Sequence, residues 1–169
     1  VVDVPDIIYM EDTNGDAKAD IRKVLLTGMA LTNPQHIANT PIYGLDNWIY
    51  VAHMGSITPK ISMLFNDTGT NARFTGYPAA HQLPRNADGR NIRFKPDSYE
   101  LEMLAGESQY GHTFDDWGHH FCVENADHIF QEVMAARYLR RNPDLLVADA
   151  SDYISDHGDA CEVYPITTN

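Results

Sequence analysis

Long apolar runs are missing from this chain. No stretch of 18 apolar residues occurs among its 169, so no segment has the length and character of a membrane-crossing helix. Basic residues are scarce as well. Twelve Lys and Arg stand against twenty-four Asp and Glu, a formal charge of -12, which argues against a nucleic acid or an anionic membrane surface as partner, because phosphate binding needs clustered cations. Cysteine is limited to Cys122 and Cys161, which allow one disulfide in an oxidising compartment or two thiols in a reducing one. No Cys-x-x-Cys-His occurs, so no haem is attached to this chain. No basic segment followed by an apolar run opens it, and the expectation is that any signal peptide has been removed or lies upstream.

Turn residues and alternating apolar residues are present throughout. The richest stretch predicts a strand over 36–43, a turn over 44–47 and a strand over 48–52, because β-branched and aromatic residues flank a Gly/Asp/Asn cluster. His36 sits at the mouth of this hairpin, and His53 and Gly55 sit at its exit. Polar groups thus gather at the ends of apolar strands, the usual way of placing chemistry on a rigid scaffold. An imidazole with an ordinary pKa near 6.5 can take or release a proton at neutral pH, so His36 is the candidate base. Asp46 is expected to cap its own turn, and Trp48 and Tyr50, two apart, to share a packed face.

Residues 1–10 read as β-rich, with Pro5 pointing to an edge strand. The acidic loop that follows puts Asp12, Asn14, Asp16, the Lys18 carbonyl and Asp20 at alternate positions, a pattern that turns oxygens onto a hard cation such as calcium. It departs from the EF-hand: Gly15 stands at the fourth place rather than the sixth, and Lys23 stands where a bidentate Glu belongs. An Asn-Gly hairpin tip without an ion is the competing reading. A strand is expected over 22–27. Residues 57–90 are dense in Gly, Pro, Asn, Asp and Thr, which predicts long loops around one strand at 61–65.

A hairpin is expected from 89–97 and 100–104, with Arg90, Arg93 and Lys95 as solvated cations on it. A tight loop at 106–111 leads into an aromatic hairpin with its tip at 115–118. His112, His119, His120 and His128, with Glu124 and Asp127, lack zinc-type spacing, and His119 and His120 should point to opposite faces of one strand. The apolar spacing at 130, 133, 134 and 138 predicts a helix over 130–141, stopped by Asn142-Pro143. A strand from 145, an acidic loop carrying Asp149, Asp152, Asp156, His157 and Asp159, and a strand over 161–166 complete the expectation.

Several of these stretches together resemble one family. His36, eight residues before the Gly44-Leu45-Asp46 turn, and the aromatic strand ending at Gly55 are similar to the second-blade motif of soluble glucose/sorbosone-type quinoprotein dehydrogenases. The segments 12–20, 25–36, 43–55, 89–118, 138–145 and 152–159 resemble the planctomycete-type membrane-bound dehydrogenase propellers more closely. The fold this implies is all-β, a partial β-propeller of three to four blades of antiparallel strands with one short helix, residues 1–169 forming a segment of a single propeller domain. A four-stranded blade takes about 40 to 50 residues and a closed wheel about four to eight blades. Further chain or a partner subunit is therefore expected to complete it.

The activity the resemblance implies is oxidation of a sugar or polyol alcohol, with electrons passed to a separate cofactor or a haem-containing electron acceptor. His36 would be the catalytic base, and His53, Gln109 and His112 would line the substrate or cofactor pocket. Quinone-binding relatives carry an acidic residue just after the 48–52 strand and an Arg-Asn pair in the later loop. Here the chain reads His53-Met54-Gly55-Ser56 and Ser108-Gln109, and a guanidinium fork recognises a carboxylated quinone far better than a serine does. Those departures argue against pyrroloquinoline quinone. The alternative is a non-catalytic extracellular propeller serving as a binding or assembly subunit. Either reading implies a periplasmic or extracellular location.

Overall fold

The computed structural model describes residues 1–29, 31, 33–55, 70–125, 127–142, 144, 147 and 149–154. Among them twelve strands form three four-stranded antiparallel sheets, with one short α-helix. The first sheet runs in the order β1 (Val2–Asp3), β2 (Asp6–Glu11), β3 (Ile21–Thr27), β6 (Arg73–Phe74). The second joins β4 (Asn39–Tyr43), β5 (Ile49–Ala52), β7 (Ile92–Lys95) and β8 (Glu100–Met103). The third is an unbroken meander of β9 (His112–Phe114), β10 (His120–Cys122), β11 (Phe130–Glu132) and β12 (Ser151–Tyr153). Pro5 lies in the turn between β1 and β2, outside either ladder, and β1 is the edge strand of its sheet. Among the described residues no helix is long and apolar enough to cross a membrane.

The two-residue period of a strand gives the second sheet two different faces. Val51, Ile92, Phe94 and Leu101 pack against Ile7, Leu26 and Phe74 of the first sheet, with Ala72, Leu83 and Ala87 filling the same cluster. Burying each large apolar side chain there is worth about 1.5 to 3 kcal/mol, which makes this the stabilising core. The alternate residues Trp48, Tyr50 and Leu104 face the third sheet and meet Phe114. Thus the second sheet is covered on both sides: an apolar layer toward the first, a mixed and strongly polar one toward the third.

Arg93 belongs to that second layer and departs from the sequence expectation of a solvated cation. Its side chain is 4% exposed. Nε and Nη2 donate to Glu102 Oε2 at 2.9 and 2.5 Å, and Nη1 donates to Asp46 Oδ2 and to the Tyr50 hydroxyl at 2.9 Å each. The guanidinium lies 4.3 Å from the Trp48 ring centre. Asp46 does cap its own turn, accepting from Trp48 N at 3.3 Å, and also anchors Arg93. Cross-strand neighbours thus converted an apparently solvated strand into a buried ion cluster.

The expected helix over 130–141 divides in two. Phe130 pairs with Cys122 on one side and Tyr153 on the other, so ladder bonds claim β11 before the helix α1 (Ala136–Arg141) begins. The apolar residues at 130 and 138 therefore never shared one helical face. β12 falls where an acidic loop was expected. The strands expected over 61–65, from 145 and over 161–166 lie outside the described residues in whole or in their defining part, and so do Cys161 and residues 155–159.

Candidate functional site

His36 is half-buried at the entry to β4. Its amide donates to the Asn33 carbonyl at 2.7 Å and its carbonyl accepts from Met54 N at 3.2 Å, which ties together the two open ends of the β4–β5 hairpin. His53, at the exit of β5, is fully buried. Its amide donates to Asn91 Oδ1 at 2.9 Å, and Nδ1 lies 3.1 Å from the Arg90 carbonyl, so Nδ1 carries the proton. The loop 106–111 closes on the same end: Ser108 N donates to the His53 carbonyl at 3.3 Å, and the Gln109 carbonyl accepts from Asn39 Nδ2 at 3.1 Å. His36, His53 and this loop therefore converge, although they come from two sheets.

Glu107 and Arg90 complete that end. Burial raises the Glu107 carboxyl above the ordinary carboxylate range, while the charges of Arg90 and His36 pull it back down. Arg90 donates from Nη1 to the Ala105 carbonyl, which fixes its guanidinium beside the loop. Gly89 makes the approach possible: it holds a φ of +77°, and a Cβ there would meet the Gly55 carbonyl oxygen at 2.6 Å.

Behind the mouth runs a continuous buried polar network. Asn91 donates from Nδ2 to Ser108 Oγ at 3.1 Å and to Cys122 Sγ at 3.4 Å. Cys122 Sγ lies 3.8 and 3.9 Å from the two His120 ring nitrogens. His120 Nδ1 is 3.3 Å from Glu132 Oε2, and His120 Nε2 is 2.8 Å from His112 Nδ1. His112 Nε2 is 2.8 Å from the Thr40 carbonyl, which can only accept, so Nε2 carries the proton and Nδ1 is the bare acceptor. The chain reads Glu132 carboxylate, doubly protonated His120, neutral His112, Thr40 carbonyl.

The titration of the two rings agrees with that assignment. Burial lowers His112 to about 4, helped by the charge of His120, against the opposing contacts with Thr40 and Glu132. Burial also pulls His120 down, but the contacts with Cys122 and Glu132 outweigh it and raise the ring to about 9. Gly111, at φ +109°, lets the loop pass Thr40, where a Cβ would come within 3.0 Å of Thr40 Oγ1. Thr40 itself holds a φ of +48° within an irregular stretch of β4.

The sequence-predicted residues thus fare differently. His36 and His53 meet the 106–111 loop, and His112 joins the buried relay. Gln109 is 3% exposed, with Nε2 donating to the Tyr110 hydroxyl at 3.0 Å and Oε1 accepting from Asn125 N at 3.1 Å. Ser108 is fully buried with its hydroxyl on Asn91. Both side chains are therefore held by hydrogen bonds within the fold. His119 and His120 do point to opposite faces: His119 is exposed and 2.7 Å from Asp115 Oδ2.

In the acidic β2–β3 turn, Asp12 accepts from the amides of Asn14, Gly15 and Ala17, Asn14 Oδ1 from Asp16 N, and Asp16 Oδ1 from Lys18 N. Asp20 accepts from the amide and hydroxyl of Thr13 and from Asn14 Nδ2. Among the described residues no group of three or more His, Cys, Asp or Glu side chains is arranged to hold a metal ion.

Asn91, Glu107, Cys122 and Glu132 were missed in the sequence. Part of the signal was there: His120 and Cys122 are two apart in a strand, and Cys122 pairs directly with His112 across the hairpin. Glu132 was hidden because the periodicity around it read as helical.

The family model described as Domain of unknown function (DUF7133) matches residues 1–169, and the chain belongs to that family. No curated protein and no solved structure matches it.

Proposed function

We propose that this chain is a segment of a β-propeller of the glucose/sorbosone dehydrogenase type, akin to the planctomycete-type membrane-bound dehydrogenases, and that it oxidises an alcohol group of a sugar or polyol. The stacking of three four-stranded antiparallel sheets supports the propeller reading, the third as a simple meander and the first two exchanging one crossover at β6. The observation that carries the catalytic reading is the convergence at one end of the stack of His36, whose carbonyl accepts from Met54 N, and the 106–111 loop, whose Ser108 N donates to the His53 carbonyl, where the charges of Arg90 and His36 act on Glu107. His36 Nδ1 or Nε2 takes the hydroxyl proton as the C–H bond breaks and the carbonyl forms. Glu107 stabilises the imidazolium, and the two electrons released with the C–H bond pass to a separate cofactor, or one at a time to a haem domain. The rest of the wheel is supplied by further chain or a partner subunit, in a periplasmic or extracellular setting.

The test is turnover of aldoses and polyols by the full-length protein with an artificial electron acceptor, with and without added pyrroloquinoline quinone. The expected result is turnover that His36→Ala lowers by about 100- to 10,000-fold, the usual worth of a positioned base. No turnover across the panel, or an unimpaired His36→Ala variant, eliminates the catalytic reading. A second reading, a non-catalytic binding or assembly subunit, draws support from Ser108 and Gln109, whose side chains are engaged entirely within the fold.

A further inference from the structure

The opposite end of the stack carries a second set of groups that the oxidation site does not use. β4 begins beside His36 and ends at the 44–47 turn; β9 begins after the 106–111 loop and ends at the 115–118 tip. His112 touches Thr40 at one end and Gly118 lies against Leu45 at the other, so both tips lie away from His36. There Trp117 is 82% exposed.

Its exposure is not a matter of a loose loop. Asp115 Oδ1 accepts from the amides of Trp117 and His119 at 3.0 and 2.8 Å, Asp115 Oδ2 is 2.7 Å from His119 Nδ1, and the Asp115 carbonyl accepts from Gly118 N at 3.1 Å. Gly118 holds a φ of +84°, and a Cβ built there would lie 3.5 Å from Leu45 Cδ1. One aspartate thus pins the turn so that a large indole stands in water, with a cavity at its side.

Beside the indole lies a cavity of about 270 Å³, lined by Leu45, Asp46, Tyr50, Phe114, Trp117 and Gly118, and next to it a second of about 440 Å³. The two share Asp46, Tyr50, Phe114 and Gly118. The second adds donors and acceptors of both signs, among them His119, Gln131, Glu132 and Arg137. The size is that of a small-molecule cleft. An aromatic face flanked by mixed hydrogen-bonding groups suits a ligand with one apolar C–H face and a rim of hydroxyls.

We propose that this groove binds a neutral saccharide, with one ring stacked on Trp117 and its hydroxyls directed toward Asp46, His119 and Arg137. Neutrality follows from the balance of charge: Asp46 and Glu132 share the groove with Arg93 and Arg137, so neither sign dominates it, and a chain at -12 repels polyanions. The site stands apart from the proposed oxidation site.

Calorimetric titration of the full-length protein with neutral glucose and xylose oligomers, and with a sulfated polysaccharide, tests it. A neutral oligomer binds, Trp117→Ala weakens it at least tenfold with an unchanged unfolding midpoint, and Trp117→Phe retains most of the affinity. Absence of binding by every neutral oligomer, equal affinity in Trp117→Ala, or tighter binding of the sulfated polymer overturns the proposal.

Discussion

His112 and His120 lie 2.8 Å apart and are displaced in opposite directions, to about 4 and about 9 from an ordinary 6.5. One proton in the pair is therefore held firmly and the other refused. His120 keeps its proton when folded up to about pH 9, so its contribution to stability is complete below 6.5 and is lost as pH rises through 9. His112 stays neutral when folded, whereas the unfolded chain takes that proton below 6.5, so stability also declines as pH falls from 6.5 toward 4. Together they predict a stability maximum near pH 6.5 from this pair. The thermal unfolding midpoint of the parent minus that of a His112→Phe/His120→Phe variant, followed from pH 5 to 9, isolates the contribution; a difference that rises steadily across the range contradicts the assignment. In Glu132→Gln the His120 ring loses its carboxylate and titrates lower, which a histidine-resolved NMR titration would register. Arg93 makes a related point about buried charge. Arg93→Ala leaves Asp46 and Glu102 without their common partner, and because those carboxylates are 44% and 35% exposed the expected loss is about 2 to 3 kcal/mol, below the 3 to 5 typical of wholly buried pairs. Urea unfolding measures it.

At the scale of single elements, the hairpins were legible because their turns are written in Gly, Asn and Asp. Residues 44–47 between β4 and β5, and 115–118 between β9 and β10, name themselves. What stayed hidden required knowledge of neighbours. The first half of 130–141 is a strand only because β10 and β12 flank it, and Arg93 is buried only because Glu102 and Tyr50 arrive across the ladder. The same holds for the site: His36 and His112 could be picked by residue type, whereas Asn91, Glu107 and Glu132 matter through contacts tens of residues away. Two predictions belong here. Gly111→Ala adds a methyl 3.0 Å from Thr40 Oγ1 in a left-handed backbone, and should cost about 1 to 3 kcal/mol while displacing His112 from the Thr40 carbonyl. Calorimetric unfolding reads the first effect and the His112 chemical shift the second. In the acidic turn, Asp12→Ala removes acceptors from Asn14, Gly15 and Ala17, so hydrogen exchange at Gly15 and Ala17 should quicken even in the presence of a chelator. Unchanged exchange there would mean that the turn is held by something other than its own side chains.

The whole molecule is a stack with unlike seams. The first and second sheets meet through aliphatic and phenylalanine side chains, which secure stability; the second and third meet through the Asn91–Cys122, Thr40–His112 and Ala105–Glu132 hydrogen bonds, which secure register. The far face of the third sheet presents a mainly apolar cavity of about 490 Å³ bordered by Phe121, Val123, Ile129 and Ile154. Ile129 and Ile154 are each about half exposed. A face of this kind suits another sheet, and the proposed wheel supplies one. The most direct measurement is an experimental structure of the full-length protein. The account predicts Phe121 and Ile129 packed against a further four-stranded antiparallel sheet, with His36 and Glu107 opening onto a central channel. A third sheet whose far face meets solvent or helices, or a His36 turned to the outer rim, would contradict it.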